Sequence, residues 1–229
     1  MTRDSAGGRV RDLGAGRTRD FVGYGQTPPD IRWPNGARLA VNFVLNYEEG
    51  SEYSLADGDD RTDATLTEVS QPRVPRGDRD LGAESMFEYG SRVGFWRLFR
   101  LFQDRGLPLT VFAASLGLER NPEAARAIAE TDWDVVCHGR RWVEHYLLDE
   151  GTERADIAAA YDSISQLIGR PPEAWYCRYA PSVNTRRLLV EHGGFTYDSD
   201  AFNDELPFCV WVGDHDHLVV PYSLGANDS

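Results

Sequence analysis

Leu39-Ala40-Val41-Asn42-Phe43-Val44-Leu45 is a short, nearly continuous apolar run, and it ends at Asn46-Tyr47-Glu48-Glu49-Gly50. Apolar side chains at almost every position predict a strand buried on both faces, as in a parallel sheet. Two carboxylates then stand at a strand's C-terminal end. Downstream the pattern repeats: residues 109–114 read as a second strand, 133–137 as a third that delivers His138, and 174–177 as a fourth that ends at Arg178. Residues 195–197 and 218–220 are the last strand candidates. Helices fall between them. Met86, Tyr89, Val93, Trp96, Phe99 and Phe102 recur at helical spacing up to Gly106, and this stripe reads as core. Asn121-Pro122 caps a helix through residue 130, residues 153–168 form another that Gly169 and Pro171-Pro172 stop, and 184–192 closes at Gly193-Gly194.

Strands alternating with helices predict a parallel sheet with helices outside, either a barrel or a doubly wound sheet. In both, chemistry collects at the C-terminal ends of the strands. Glu48, Glu49, His138, Arg178 and Asp198 all fall there, which is the reason to group them. Residues 1–30 read as an N-terminal arm and 31–229 as the domain. The polar stretch 51–84 is long enough to be a functional lid or an intersubunit loop, with a mobile insertion as the plain alternative.

Composition narrows the function. A chain of 229 residues suits one large domain. Thirty-seven acidic against 24 basic residues give a net charge of -13, which repels nucleic acid at long range. Every basic residue is Arg, so Schiff-base chemistry and a P-loop lysine are out. No apolar run approaches the roughly 20 residues of a membrane helix, and no secretory signal opens the chain, so a cytoplasmic location is expected. Cys137, Cys177 and Cys209 form no CxxC pair, which suits a reduced compartment.

Each candidate has a plain reading beside the chemical one. Glu48 and Glu49 just past a strand can both turn into a pocket, one as general base on water and the other fixing substrate or metal, or they are two solvated loop glutamates. His138 precedes Gly139, where backbone can approach a ligand closely; otherwise it is a core or capping histidine. Arg178 offers a rigid fork to a carbonyl, ureido or carboxylate group, or forms a structural salt bridge. Asp198 and Asp200 could orient it. Cys137 and Cys177 read as small core residues pointing away from His138 and Arg178. His145, His192, His215 and His217 read as bland, the last two in a solvated Asp-His-Asp-His stretch.

The stretches 21–25, 41–50, 88–98, 184–187, 193–200 and 217–222 together resemble the NodB-type polysaccharide deacetylase superfamily, and within it the cofactor-independent allantoinase branch. Where the deacetylases carry Phe-Asp-Asp-Gly, with a base and a metal ligand, this chain has Tyr47, Glu48, Glu49 and Gly50. Their second motif has two metal-binding histidines four apart; here these positions are His138 and Trp142. An indole cannot replace a zinc ligand, so no bound metal and no cofactor are expected. Arg178 and Pro181 match the third motif, while Ser182 departs from its usual aromatic residue. The resemblance implies an α/β fold, a distorted (β/α) barrel, in a homotetramer that hydrolyses a cyclic ureide, allantoin, to allantoate. Glu48, Glu49, His138 and Arg178 would be catalytic, and Tyr47, Trp142, Pro181 and Asp198 would bind substrate.

Three rivals stay open: a cyclic imide or hydantoin hydrolase, a metal-dependent carbohydrate N-deacetylase, and a non-catalytic barrel relic. A full (β/α) barrel takes about 250 residues, whereas roughly six strands can be read here. The last βα units are therefore expected to be missing, with apolar surface exposed where they would close the barrel.

Overall fold

The computed structural model describes residues 11–12, 19–65, 67, 69 and 74–227, with Arg11 and Asp12 as backbone alone. Most of the expected arm, residues 1–10 and 13–18, lies outside the described residues. The strands are β1 (Arg11–Asp12), β2 (Val44–Tyr47), β3 (Thr110–Ala113), β4 (Asp134–Cys137), β5 (Ala174–Trp175), β6 (Tyr197–Asp198), β7 (Phe208–Val212) and β8 (His215–Val219). The α-helices are α1 (Leu81–Tyr89), α2 (Phe95–Arg105), α3 (Ser115–Arg120), α4 (Pro122–Ala129), α5 (Glu150–Ile168) and α6 (Thr185–His192). All eight strands join one sheet in the order β1-β7-β8-β6-β5-β4-β3-β2. Every pair is parallel except β7 with β8. The sheet is open, with β2 and β1 at its two ends, so this is an α/β fold that does not close into a true barrel.

Alternation along the strands makes two different faces. Val111, Ala113, Val135, Cys137, Trp175 and Cys177 turn to one side, where they pack on Phe95, Leu118, Ile128, Ile157, Ile164 and Leu188 from the helices. Phe112, Val136, Ala174 and Tyr176 turn to the other, joined by Val44, Tyr197 and Tyr222. Cys137 and Cys177 are thus buried core residues on the helical side, and both are free thiols. Helix starts follow ordinary capping chemistry: the Asn121 side chain accepts from the Ala124 N–H ahead of Pro122, and Asp149 does the same for Thr152.

Beyond β1, a strand inside the expected arm, two strands differ from their sequence reading. The strand read from the first apolar run, β2, begins only at Val44, at the edge of the sheet, and Leu39 (72% exposed), Val41 (63%) and Phe43 (44%) precede or flank it in the open. A run that reads as doubly buried is uncovered because no strand lies beyond β2 among the described residues. The second is β7, an unanticipated strand. It turns into β8 through Gly213-Asp214, a two-residue hairpin loop with Gly213 at φ 59°. That hairpin also buries His217, which the sequence alone places in solvent.

Candidate active site

The strand register assembles the site. Tyr47 pairs with Ala113, and Ala113 with Cys137. The next residues, Glu48, Ala114 and His138, therefore lie in one row past the strand ends. Ala114 between them is only a methyl group, which lets the two long side chains meet: Glu48 Oε1 lies 3.1 Å from His138 Nε2. His138 Nδ1 lies 2.6 Å from the Tyr176 carbonyl oxygen. A carbonyl only accepts, so Nδ1 donates there and Nε2 is the ring nitrogen that faces Glu48. The imidazole also stacks on the Tyr176 ring at 5.2 Å and 10°. His138 is 2% exposed.

Glu49 faces the same space. One carboxylate oxygen accepts from the Glu48 backbone N–H at 3.3 Å, and the other lies against the Cα of Gly90, where any Cβ would overlap it. Burial pushes its pKa up to about 7; the neighbouring Glu48 charge adds to the rise and backbone N–H groups oppose it. Gly90 opens a single π-helical turn, Gly90–Gly94, that joins α1 to α2. Such turns interrupt an α-helix where a site needs the space.

Glu48 and Glu49 line a cavity of about 440 Å³ together with Thr67, Met86, Phe87, Tyr89 and Trp142. The walls from α1 correct the reading of its stripe as core. Only its later members, Trp96, Phe99 and Phe102, pack against the helical core, while Met86 and Tyr89 serve the cavity. Their signal was present in the sequence as aromatic and thioether side chains, but periodicity does not say which turn meets the sheet.

The other expected residues are placed as follows. Trp142 forms a wall, its ring 6.3 Å edge-on from Phe87. Arg178 lies behind Trp142 with its guanidinium carbon 3.6 Å from the ring centroid. It donates to Asp63 Oδ2 (2.5 Å), the Trp142 carbonyl (2.8 Å) and Thr65 Oγ1 (2.8 Å). Asp63 and Thr65 sit in a polar loop more than 100 residues away and gave no sequence signal. Asp198 and Asp200 do not orient Arg178. Asp198 instead holds Arg186, at 2.7 and 2.9 Å, and His217, at 2.8 Å. Burial works to raise the Asp198 pKa, but these two partners outweigh it and hold the group at about 2. Tyr47 turns to the helical face, edge-on to Phe95 at 5.2 Å, and burial pushes its phenol up to about 12. Pro181 is half-buried on the segment leading to α6 and is not on the cavity lining. Gly139 (φ 85°) makes room for His145 and the Arg141 carbonyl rather than for a ligand.

The side chains do not fit a catalytic zinc. Among the described residues no three His, Cys, Asp or Glu side chains come together as a metal site. Four residues after His138 in the chain comes the indole of Trp142, which has no lone pair to give and is backed by a guanidinium cation. No helix among the described residues is long and apolar enough to cross a membrane.

Comparisons with known proteins agree with this arrangement at the level of family. The polysaccharide deacetylase family model matches residues 82–197. A Schizosaccharomyces pombe protein named "Putative polysaccharide deacetylase" is 36% identical over 92% of this chain and 71% of its own length. The crystal structure of a "probable Polysaccharide deacetylase from Pseudomonas aeruginosa PAO1" superposes with a TM-score of 0.85 at 44% identity, over 92% of this chain and 70% of that one. The crystal structure of "Puue Allantoinase" gives 0.86 and 41% with the same coverage. With its strand order, its Glu48–His138 pair and these matches in hand, the chain is a hydrolase fold that belongs to the polysaccharide deacetylase family of the NodB type.

Proposed function

We propose that this protein hydrolyses the ring C–N bond of a small cyclic amide, with allantoin the first candidate and hydantoins and cyclic imides beside it. One observation carries the reading: Trp142 stands where the deacetylases have a second metal-binding histidine, yet Glu48 and Glu49 still line the cavity it walls, with His138 in contact with Glu48 behind them. Glu49, titrating near neutrality, takes a proton from water, and the water oxygen attacks the ring carbonyl. Glu49 then gives that proton to the leaving nitrogen as the C–N bond breaks, with the Glu48–His138 pair beside it. A ureido nitrogen carries charge better than a simple amine, so it departs without a Lewis acid. Arg178, expected as an oxyanion donor, has its Nη groups committed behind Trp142 and is assigned to the wall instead. The enzyme would work as a cytoplasmic homo-oligomer, as the resemblance implies.

The second reading is metal-dependent N-deacetylation of an acetylated sugar, favoured by the names of the yeast and Pseudomonas relatives. One panel separates the two: allantoin, hydantoin, succinimide and an acetylated chito-oligosaccharide, each with and without chelator, with product detection and metal content on the same preparation. Ring opening of a cyclic amide that survives chelation is the expected outcome. Release of acetate from the sugar alone, abolished by chelation, would establish the deacetylase.

A further inference from the structure

The segment that follows the two glutamates is tied down by arginines. Asp63 is 3% exposed and Arg178 2%, so their ion pair is buried. Asp63 Oδ1 accepts from the Thr65 backbone N–H at 3.1 Å and from its hydroxyl at 2.6 Å, and Thr65 Oγ1 accepts in turn from Arg178 Nη2. The guanidinium so held spreads over the Trp142 ring and donates to the Trp142 carbonyl. Other contacts join the same two stretches of chain. The Trp142 N–H donates to the Ser51 carbonyl at 2.9 Å, Arg141 grips Asp59 and the Glu52 carbonyl, and the Tyr53 hydroxyl donates to Glu144 at 2.5 Å. The Asp63 N–H closes the loop on the Tyr53 carbonyl at 2.8 Å.

Within this set the Asp63–Arg178 pair is the one that reaches the cavity wall. An indole face attracts a guanidinium, and burial strengthens the attraction. The planar fork fixes orientation as well as distance, which a point charge would not. We infer that Asp63, with Thr65, is a positioning residue: it holds Arg178 against Trp142, sets that indole as the wall of the cavity, and makes residues 51–65 and 141–144 a single unit. The inference rests on the proposed function only for its kinetic consequence, because the structural unit exists whatever the substrate. A wall binds the ring but moves no proton, so its loosening should weaken substrate binding more than turnover.

The test compares Asp63→Asn, Thr65→Val and Asp60→Asn in the whole chain by hydrogen exchange and by kinetics on the cyclic amide that the wild type opens. Asp60 is an exposed member of the same segment, paired with Arg76 on the surface, and serves as the control. Losing one partner of a buried pair leaves a costly unpaired charge, so Asp63→Asn should raise exchange by about tenfold or more across 51–65 and 141–144 together, while α5 keeps its protection. Thr65→Val, which keeps the ion pair and so the fold, should do the same to a smaller degree, and Asp60→Asn should match the wild type. KM should rise by about tenfold for Asp63→Asn with kcat within about threefold. Exchange that rises evenly along the chain, or that rises at 51–65 without 141–144, would overturn the inference. If the wild type opens no cyclic amide, the proposed function fails while the exchange pattern still decides the positioning role.

Discussion

Glu49 is where burial and chemistry meet in a single side chain. Its ordinary pKa of 4.5 is pushed up to about 7. Between those two values the unfolded chain gives up a proton that the native chain keeps, so this group's contribution to stability falls as pH rises through that window. Above it, the native protein holds an ionised carboxylate in a partly buried place, which costs free energy and supplies the base. Glu49→Gln should therefore lower turnover at pH 8 by on the order of 10²- to 10⁴-fold. Urea unfolding should show the variant more stable than wild type at pH 8 and equal to it at pH 4. Near-normal turnover in that variant would remove Glu49 from the mechanism. Asp198 is the contrasting acid at this scale. It stands at a strand end like the glutamates, yet Arg186 and His217 consume its oxygens, and what it supplies is a satisfied buried ion cluster.

Elements place these residues more tightly than the chain order suggests. The π-helical turn Gly90–Gly94 lets α1 and α2 pass the β2 end with no side chain at Gly90, and the Glu49 carboxylate occupies the room so left. Gly90 has ordinary helical backbone angles, φ -54° and ψ -54°, so alanine is compatible with the main chain there. Gly90→Ala should gain about 0.5–1 kcal/mol of helix propensity and at the same time displace Glu49. The expected result is a melting temperature unchanged or slightly raised, with turnover lowered by on the order of 10²-fold. A Gly90→Ala protein with full activity would show that Glu49 has another productive position. The stripe on α1 and α2 was legible as a helix from its spacing, whereas its division between core and cavity was not, because both surfaces select the same apolar and aromatic side chains.

At the scale of the molecule, the open sheet leaves one flank of β2 without a neighbouring strand among the described residues. Leu39, Val41 and Phe43 are exposed there. Edges of this kind template pairing with other chains. Leu39→Lys combined with Val41→Lys should lower concentration-dependent association of the protein, read by light scattering, without changing the free energy of unfolding by more than about 0.5 kcal/mol. Association identical in both proteins would mean that the contact surface lies elsewhere.

The strand and helix alternation, the helix caps at Asn121, Gly106 and Gly169, and the convergence of Glu48, Glu49 and His138 at strand ends were determined by sequence, because each depends on local periodicity and on a register of small integers. Asp63 reaching Arg178 across 115 residues, Asp198 turning to Arg186, His217 going into the interior and the first apolar run lying open at an edge were decided only by tertiary structure. In each case the fate of a polar or apolar group depends on which distant group shares its space, and a desolvated charge takes whichever partner the packing brings within reach.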